Sequence, residues 1–277
     1  MSRTVSGARV LITGAAQGLG RLYAERAVAE GAAAVILWDR DSAALAATTA
    51  ALVQRAAAGT QIAPYVVDIS DLGAIAQTAQ RVRTEVGDPD VVINNAGIAR
   101  AALFWDHSNG EDTRATMQIN GLAPMYITRE FLPAMLTDAS RESRIVNIAS
   151  AAGVLNAPQL SVYAASKAAV IAWSDTLRLE LVTEGYGHVK VTTVCPSYIS
   201  TGMVAGLDHV PRSNWLMPRL APAYVVDRVW RAMLAGSPML VLPWTVGLAR
   251  ALRSVLPRPV LDALASGVGP SSARRRR

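Results

Sequence analysis

RVLITGAAQGLG, residues 9–20, runs from three branched apolar residues through a turn holding Gly14, Gly18 and Gly20 into an alanine-rich stretch. The apolar start suits a buried strand and the stretch after it suits a helix. Glycines at such a junction, with Gln17 and Leu19 between them, let the backbone turn sharply and come close to a pyrophosphate. The N-terminus of the following helix stabilises that negative charge. A glycine-rich turn alone is a weak signal, because glycine is common in loops. Its weight here comes from the strand before it, the helix after it, and Asp39 at the end of the next apolar run, 25 residues beyond Gly14.

An acid at that distance meets the adenosine ribose hydroxyls of a dinucleotide. The competing reading is a helix N-cap within Asp39-Arg40-Asp41-Ser42, a role that Asp41 or Ser42 fills as well. The same carboxylate repels a 2′-phosphate, and Gln17 brings no positive charge to the glycine turn. Arg40 argues the other way, since arginine pairs with phosphate. The balance favours NAD over NADP.

Outward from this unit, short apolar runs at 9–12, 34–38, 62–67, 91–93, 144–148, 190–194 and 239–242 alternate with helical patterns at 19–30, 42–58, 72–86, 113–136 and 162–184. Continuous apolar strands are those covered on both faces, and strand–helix alternation builds right-handed βαβ units. The expected fold is α/β, a doubly wound parallel sheet of about seven strands with helices on both faces. No Pro/Gly/Ser linker divides the sequence, so one domain is expected over residues 1–277. After Gly202 prolines interrupt the pattern. Residues 197–221 then read as a substrate loop, 243–269 as a C-terminal extension and 270–277 as a disordered basic tail.

About half of the 277 residues are apolar and 17% are charged. No apolar run reaches the length of a spanning helix, residues 1–7 lack a secretory pattern, and Cys195 alone precludes an intrachain disulfide. The expectation is a cytoplasmic protein. The formal charge of +6 falls to +2 without Arg274 to Arg277, so the folded body is ordinary and no nucleic-acid partner is expected. His107, His188 and His209 have no ligand spacing, and no metal site is expected.

Tyr163 and Lys167 are four residues apart on a helical stretch and share a face. An ammonium beside a phenol favours the phenolate, and a phenol so tuned exchanges a proton with an alcohol or ketone near neutral pH. Ser150 ends a strand 13 residues upstream, placed to bond the same substrate oxygen.

Together, TGAAQGLG (13–20), Asp68 in VVDIS, NNAG (94–97), Asn120 in MQINGLAP, Ser150 in IVNIAS, YAASK (163–167) and CPSYISTG (195–202) resemble the short-chain dehydrogenase/reductase family. The likeness covers roughly residues 7–202. It implies a tetrad of Asn120, Ser150, Tyr163 and Lys167, with Asn120 bending its helix and holding a water in a proton relay through Lys167. It also implies adenine contacts at Asp68 and Ile69, a cofactor ribose region at Asn94, a hold on the nicotinamide ribose by Lys167, nicotinamide contacts at Ile199 and Thr201, and further cofactor contacts at Ala96, Gly97, Tyr163 and Pro196. A dimer or tetramer built on helices 113–136 and 162–184 is implied as well. Where many relatives have glycine after the proline, this chain has Ser197-Tyr198, and Tyr198 adds bulk beside the substrate.

The runs VILWDRD (35–41), CPSYISTGM (195–203) and 239–269 are similar to the retinol/steroid dehydrogenase branch, whose members take long or lipophilic alcohols. The expected substrate is a bulky hydrophobic secondary alcohol or ketone, held by Ser150, Ala152, Leu155, Pro158, Tyr163, Tyr198, Met203 and Leu207. Two alternatives stand beside it: a peripheral-membrane lipid, steroid or retinoid dehydrogenase, and a non-catalytic NAD-binding scaffold. The C-terminal run reads as a subunit contact in preference to a bilayer contact.

Overall fold

A computed structural model describes residues 4–200 and 218–252, with Pro257 and Pro259 beyond them. Its seven strands are β1 (Arg9–Thr13), β2 (Ala34–Asp39), β3 (Gln61–Val66), β4 (Val91–Asn94), β5 (Ser143–Ile148), β6 (Val189–Pro196) and β7 (Met239–Leu242). They form one parallel sheet in the order β3-β2-β1-β4-β5-β6-β7. The connecting helices are α1 (Gly18–Ala29), α2 (Ser42–Val53), α3 (Leu72–Glu85), α4 (Ala115–Met117), α5 (Ala123–Thr137), α6 (Ser161–Thr183), α7 (Pro222–Leu234) and α8 (Trp244–Leu252).

Because strand side chains alternate, each strand feeds two cores. Val10, Ile12, Val35 and Leu37 meet Tyr23 of α1 and Trp230 of α7 on one face. Leu11, Ile36, Val92 and Ile145 meet Phe131 of α5 and Leu177 of α6 on the other. This double burial is why the strands read as unbroken apolar runs. Strand order reverses between β1 and β4, which opens a crevice at their C-terminal ends, where ligands settle in doubly wound sheets.

Two segments differ from the sequence expectation. Helix α2 stops at Val53 instead of Ala58, and the chain then turns through Gly59, at φ +100°, to enter β3. The helix expected over 113–136 is broken into pieces: Asn109–Arg114 and Gln118–Leu122 are π-helical turns around the single α-turn of α4, and regular helix resumes at Ala123. Asn120 and Gly121 are weak helix formers, and the wider turn frees the Asn120 side chain to bond elsewhere.

Over residues 218–252 the chain is more regular than its prolines suggested. Pro222 opens α7, where a proline lacks nothing the helix needs, and Val225, Val226, Val229, Trp230 and Met233 form its buried stripe. Among the described residues, no helix is long and apolar enough to cross a membrane.

Candidate active site

The glycine turn lies at the C-terminal end of β1, beside β4. Gly14 and Gly18 have φ of +65° and +56°, which favour glycine. A Cβ on Gly20 would stand 2.0 Å from the Gly14 carbonyl oxygen, so the start of α1 packs flush on the turn. Gln17, the N-cap of α1, makes no side-chain cap bond, and Gly18 and Leu19 line the crevice. The helix thus presents its uncapped N–H groups to the cavity, which suits a phosphate.

At the end of β2, Asp39 accepts hydrogen bonds from the backbone N–H of Ala16 (2.9 Å) and of Asp41 (3.0 Å), which fixes its carboxylate beside the turn. Asp41 is the residue that caps α2, through Ala44 N–H, so the N-cap reading of Asp39 is displaced. Asp71 likewise caps α3, and Asp68 and Ile69 line the crevice next to Asp39 and the exposed Arg40. A helix N-terminus, an anchored carboxylate and an apolar slot for a base fit a dinucleotide cofactor.

The other end of the crevice holds the chemistry. Ser150 leaves β5 in extended conformation, and its hydroxyl accepts from Ala152 N–H at 3.1 Å. Gly153 permits this loop to lie on α6: a Cβ there would meet the Lys167 carbonyl carbon at 2.8 Å. Tyr163 and Lys167 rise from the first turns of α6 beside it, with the Lys167 Nζ 5.9 Å from the Tyr163 ring centre. Lys167 is 4% exposed and donates to the Ile148 carbonyl at 2.8 Å. Burial lowers its ammonium to about 8.

The tuning of Tyr163 differs from the sequence expectation. Burial pushes its phenol above the ordinary value, and the lowering influence is a hydrogen bond from Ser150, not the ammonium. The Lys167 proton donor is turned to the backbone, and the phenol sits among protein atoms that penalise a phenolate.

Asn120 uses both ends of its amide on one backbone unit. It accepts from Ile98 N–H and donates to Ile98 C=O, each at 2.8 Å, with a further donation to the Ser166 hydroxyl at 3.2 Å. Gly97 makes the approach possible, since a Cβ there would lie 3.1 Å from Asn120 Oδ1 and 3.5 Å from Lys167 Nζ.

Ala96, Pro196, Tyr198, Ile199, Ala152 and Leu155 also line the crevice. Several expected residues do not. Asn94 is buried and donates to Thr128 of α5 and Asn147 of β5; Asn95 faces the crevice instead and ties the end of β4 to the glycine turn through the carbonyls of Thr13 and Gly14. Strand alternation explains the exchange, because neighbouring residues point to opposite faces. Pro158 is exposed, and Ala157 and Leu160 supply that part of the wall. Thr201, Met203 and Leu207 lie outside the described residues.

With this geometry in view, the similarities to known proteins are informative. Residues 8–211 match the family described as short chain dehydrogenase. Estradiol 17-beta-dehydrogenase 11 of Rattus norvegicus is 33% identical over 262 residues, covering 95% of this chain and 84% of that protein. Epidermal retinol dehydrogenase 2 of Mus musculus is 33% identical over 255 residues, covering 92% and 80%. A Burkholderia phymatum short chain dehydrogenase/reductase solved with NAD superposes with a TM-score of 0.81 at 25% identity, over 98% of this chain and all of that one. A Burkholderia cenocepacia short chain dehydrogenase solved with NADP gives 0.75 at 25% identity, over 95% and 98%. The chain therefore belongs to the short-chain dehydrogenase family, in its retinol/steroid dehydrogenase-like branch, and is an oxidoreductase acting on CH–OH groups with a nicotinamide cofactor.

Proposed function

We propose that the chain interconverts a bulky hydrophobic secondary alcohol and its ketone with NAD, using Tyr163 as general acid and base. The observation that carries this reading is one crevice with Ser150, Tyr163 and Lys167 at one end and the anchored Asp39 carboxylate at the other. In oxidation, the Tyr163 phenolate takes the hydroxyl proton while Ser150 steadies the substrate oxygen; in reduction, the phenol returns the proton. The bound nicotinamide supplies the hydride acceptor or donor. Lys167, its Nζ 5.9 Å from the Tyr163 ring centre, would hold the cofactor ribose. Asn120 fastens the widened turn to Ile98, in the segment after β4, where Gly97 lies close to both Asn120 and Lys167.

The substrate wall is apolar: Ala151, Ala152, Leu155, Ala157, Leu160 and Tyr198. This agrees with relatives that are estradiol and retinol dehydrogenases by name. Preference for NAD rests on Asp39, whose carboxylate repels a 2′-phosphate, against the weaker claim of the neighbouring Arg40. Assembly into a dimer or tetramer through α5 and α6 belongs to the same reading, and Leu179 and Val182 leave exposed apolar area on α6.

The test is NADH and NADPH consumption against ketones graded from small and polar to large and apolar. Faster turnover with NADH on the large apolar ketones is expected; preference for small polyols or for NADPH would overturn the corresponding half of the proposal. Asp39→Ala is expected to shift the NADPH-to-NADH ratio of kcat/KM by about tenfold toward NADPH, roughly 1.4 kcal/mol. Both cofactors should bind more weakly, since Ala16 N–H loses its acceptor, so the ratio is the diagnostic quantity.

A further inference from the structure

The hydroxyl groups lining the crevice have different uses. Ser150 and Tyr163 are hydrogen-bonded to each other at the reacting end. Ser197 turns its hydroxyl to the Pro218 carbonyl at 3.4 Å. Among the described lining residues that leaves the Tyr198 phenol, which shares its wall with the apolar Ala151, Ala152, Leu155, Ala157 and Leu160.

Backbone bonds on both sides fix the place of Tyr198. Strand β6 ends at Pro196, and Ser197 N–H donates to the Leu242 carbonyl at 2.7 Å. Leu220 N–H donates to the Tyr198 carbonyl at 2.8 Å, Ser200 N–H donates to the Leu220 carbonyl at 3.1 Å, and Ile199 forms a parallel bridge with Leu220. A side chain on so tied a segment meets a ligand with little ordering left to do. The Tyr198 phenol is close enough to Tyr163 for its charge to be felt there, and burial raises it above its ordinary value. It stays protonated near the reacting oxygen, a neutral donor and acceptor and not a second base.

As bulk alone, a phenylalanine would serve. A hydroxyl facing a wholly apolar ligand gives up water without return, whereas one facing a second substrate oxygen exchanges one hydrogen bond for another. We propose that Tyr198 selects substrates carrying a hydroxyl on the carbon next to the reacting one, so that the favoured ketone is a bulky α-hydroxy ketone and its reduced form a vicinal diol. In reduction the carbonyl carbon gains the hydride and its oxygen gains the Tyr163 proton. The neighbouring hydroxyl is unchanged and stays bonded to Tyr198. This rests on the catalytic reading above and adds a substrate class to it.

Benzoin and deoxybenzoin share one bulky apolar frame and differ by that hydroxyl. The ratio of their kcat/KM values with NADH, benzoin over deoxybenzoin, is expected to fall about tenfold in Tyr198→Phe, the size of one net hydrogen bond. The intrinsic reactivities of the two ketones, and any general loss caused by the substitution, cancel between the parent's ratio and the variant's. The retained ring keeps the shape of the wall, and the melting temperature certifies the fold. A ratio within about twofold of the parent's, or above it, would overturn the inference and leave the catalytic reading standing. Turnover of neither ketone by the parent would count against the catalytic reading. The same ratio, taken from Kd values for the NADH complex in a Tyr163→Phe background, then decides the inference by itself. A tenfold fall there supports it; equal ratios, or no binding of either ketone, would sink it.

Discussion

Tyr163→Phe is expected to lower turnover about a thousandfold, because general acid–base groups typically contribute 10²- to 10⁴-fold. The ring remains, so packing on α6 and NADH binding should be unchanged; the measurements are kcat in single-substrate assays, NADH affinity by fluorescence and the melting temperature. Turnover within threefold of the parent would remove Tyr163 from the chemistry and favour a binding role for the crevice. Ser150→Ala separates the partners. Burial raises the Tyr163 phenol and the Ser150 hydrogen bond lowers it, so removing that hydroxyl moves the phenol further up. Alcohol oxidation needs the phenolate, and its alkaline rise should move to higher pH in Ser150→Ala. Ketone reduction needs the phenol, and its alkaline fall should move the same way. An unshifted profile would mean that Ser150 bonds the substrate without tuning Tyr163.

The sheet was legible because doubly buried strands write themselves as unbroken apolar runs, and each lies between helical patterns long enough to cross back over the sheet. The glycine turn and Asp39 were legible because backbone geometry restricts the residue types there. What escaped depends on side-chain direction. Asn94 and Asn95 are equivalent by composition, and only the pleat of β4 sends one to Thr128 and Asn147 and the other to the crevice. Helix α7 was hidden by treating prolines as breakers, although Pro222 stands at the first turn and the stripe from Val225 to Met233 has helical spacing. The direction of the Tyr163 shift was misread because spacing on a helix gives proximity to Lys167 but says nothing of burial, which is the largest influence on the phenol.

Lys167 makes the strongest case for a residue kept against stability. The residue is 4% exposed, and burial lowers its ammonium from 10.5 to about 8. The unfolded chain therefore binds more protons than the folded one between about pH 8 and 10.5, and stability from this group rises with pH across that window. Below pH 8 the full cost of burying the charge is present, on the order of 3 kcal/mol. Lys167→Met removes that cost while keeping the apolar stem. It leaves the Ile148 carbonyl without its 2.8 Å donor, at roughly 1–3 kcal/mol. The two effects largely offset one another at pH 7, where the variant should match the parent or exceed it by up to about 2 kcal/mol. The clean readout is the difference between the two proteins' denaturation midpoints as a function of pH. The parent should gain on the variant from pH 8 to 10.5, while the variant's turnover stays at least about a hundredfold below the parent's throughout. A pH-independent difference would place the charged form of Lys167 in a better-solvated setting than its burial implies. Equal gains accompanied by normal turnover would show that the ammonium is not needed at the phenol. The expected combination, a protein at least as stable that turns over far more slowly, follows because burial makes the Lys167 charge costly at the end of the crevice where it is used.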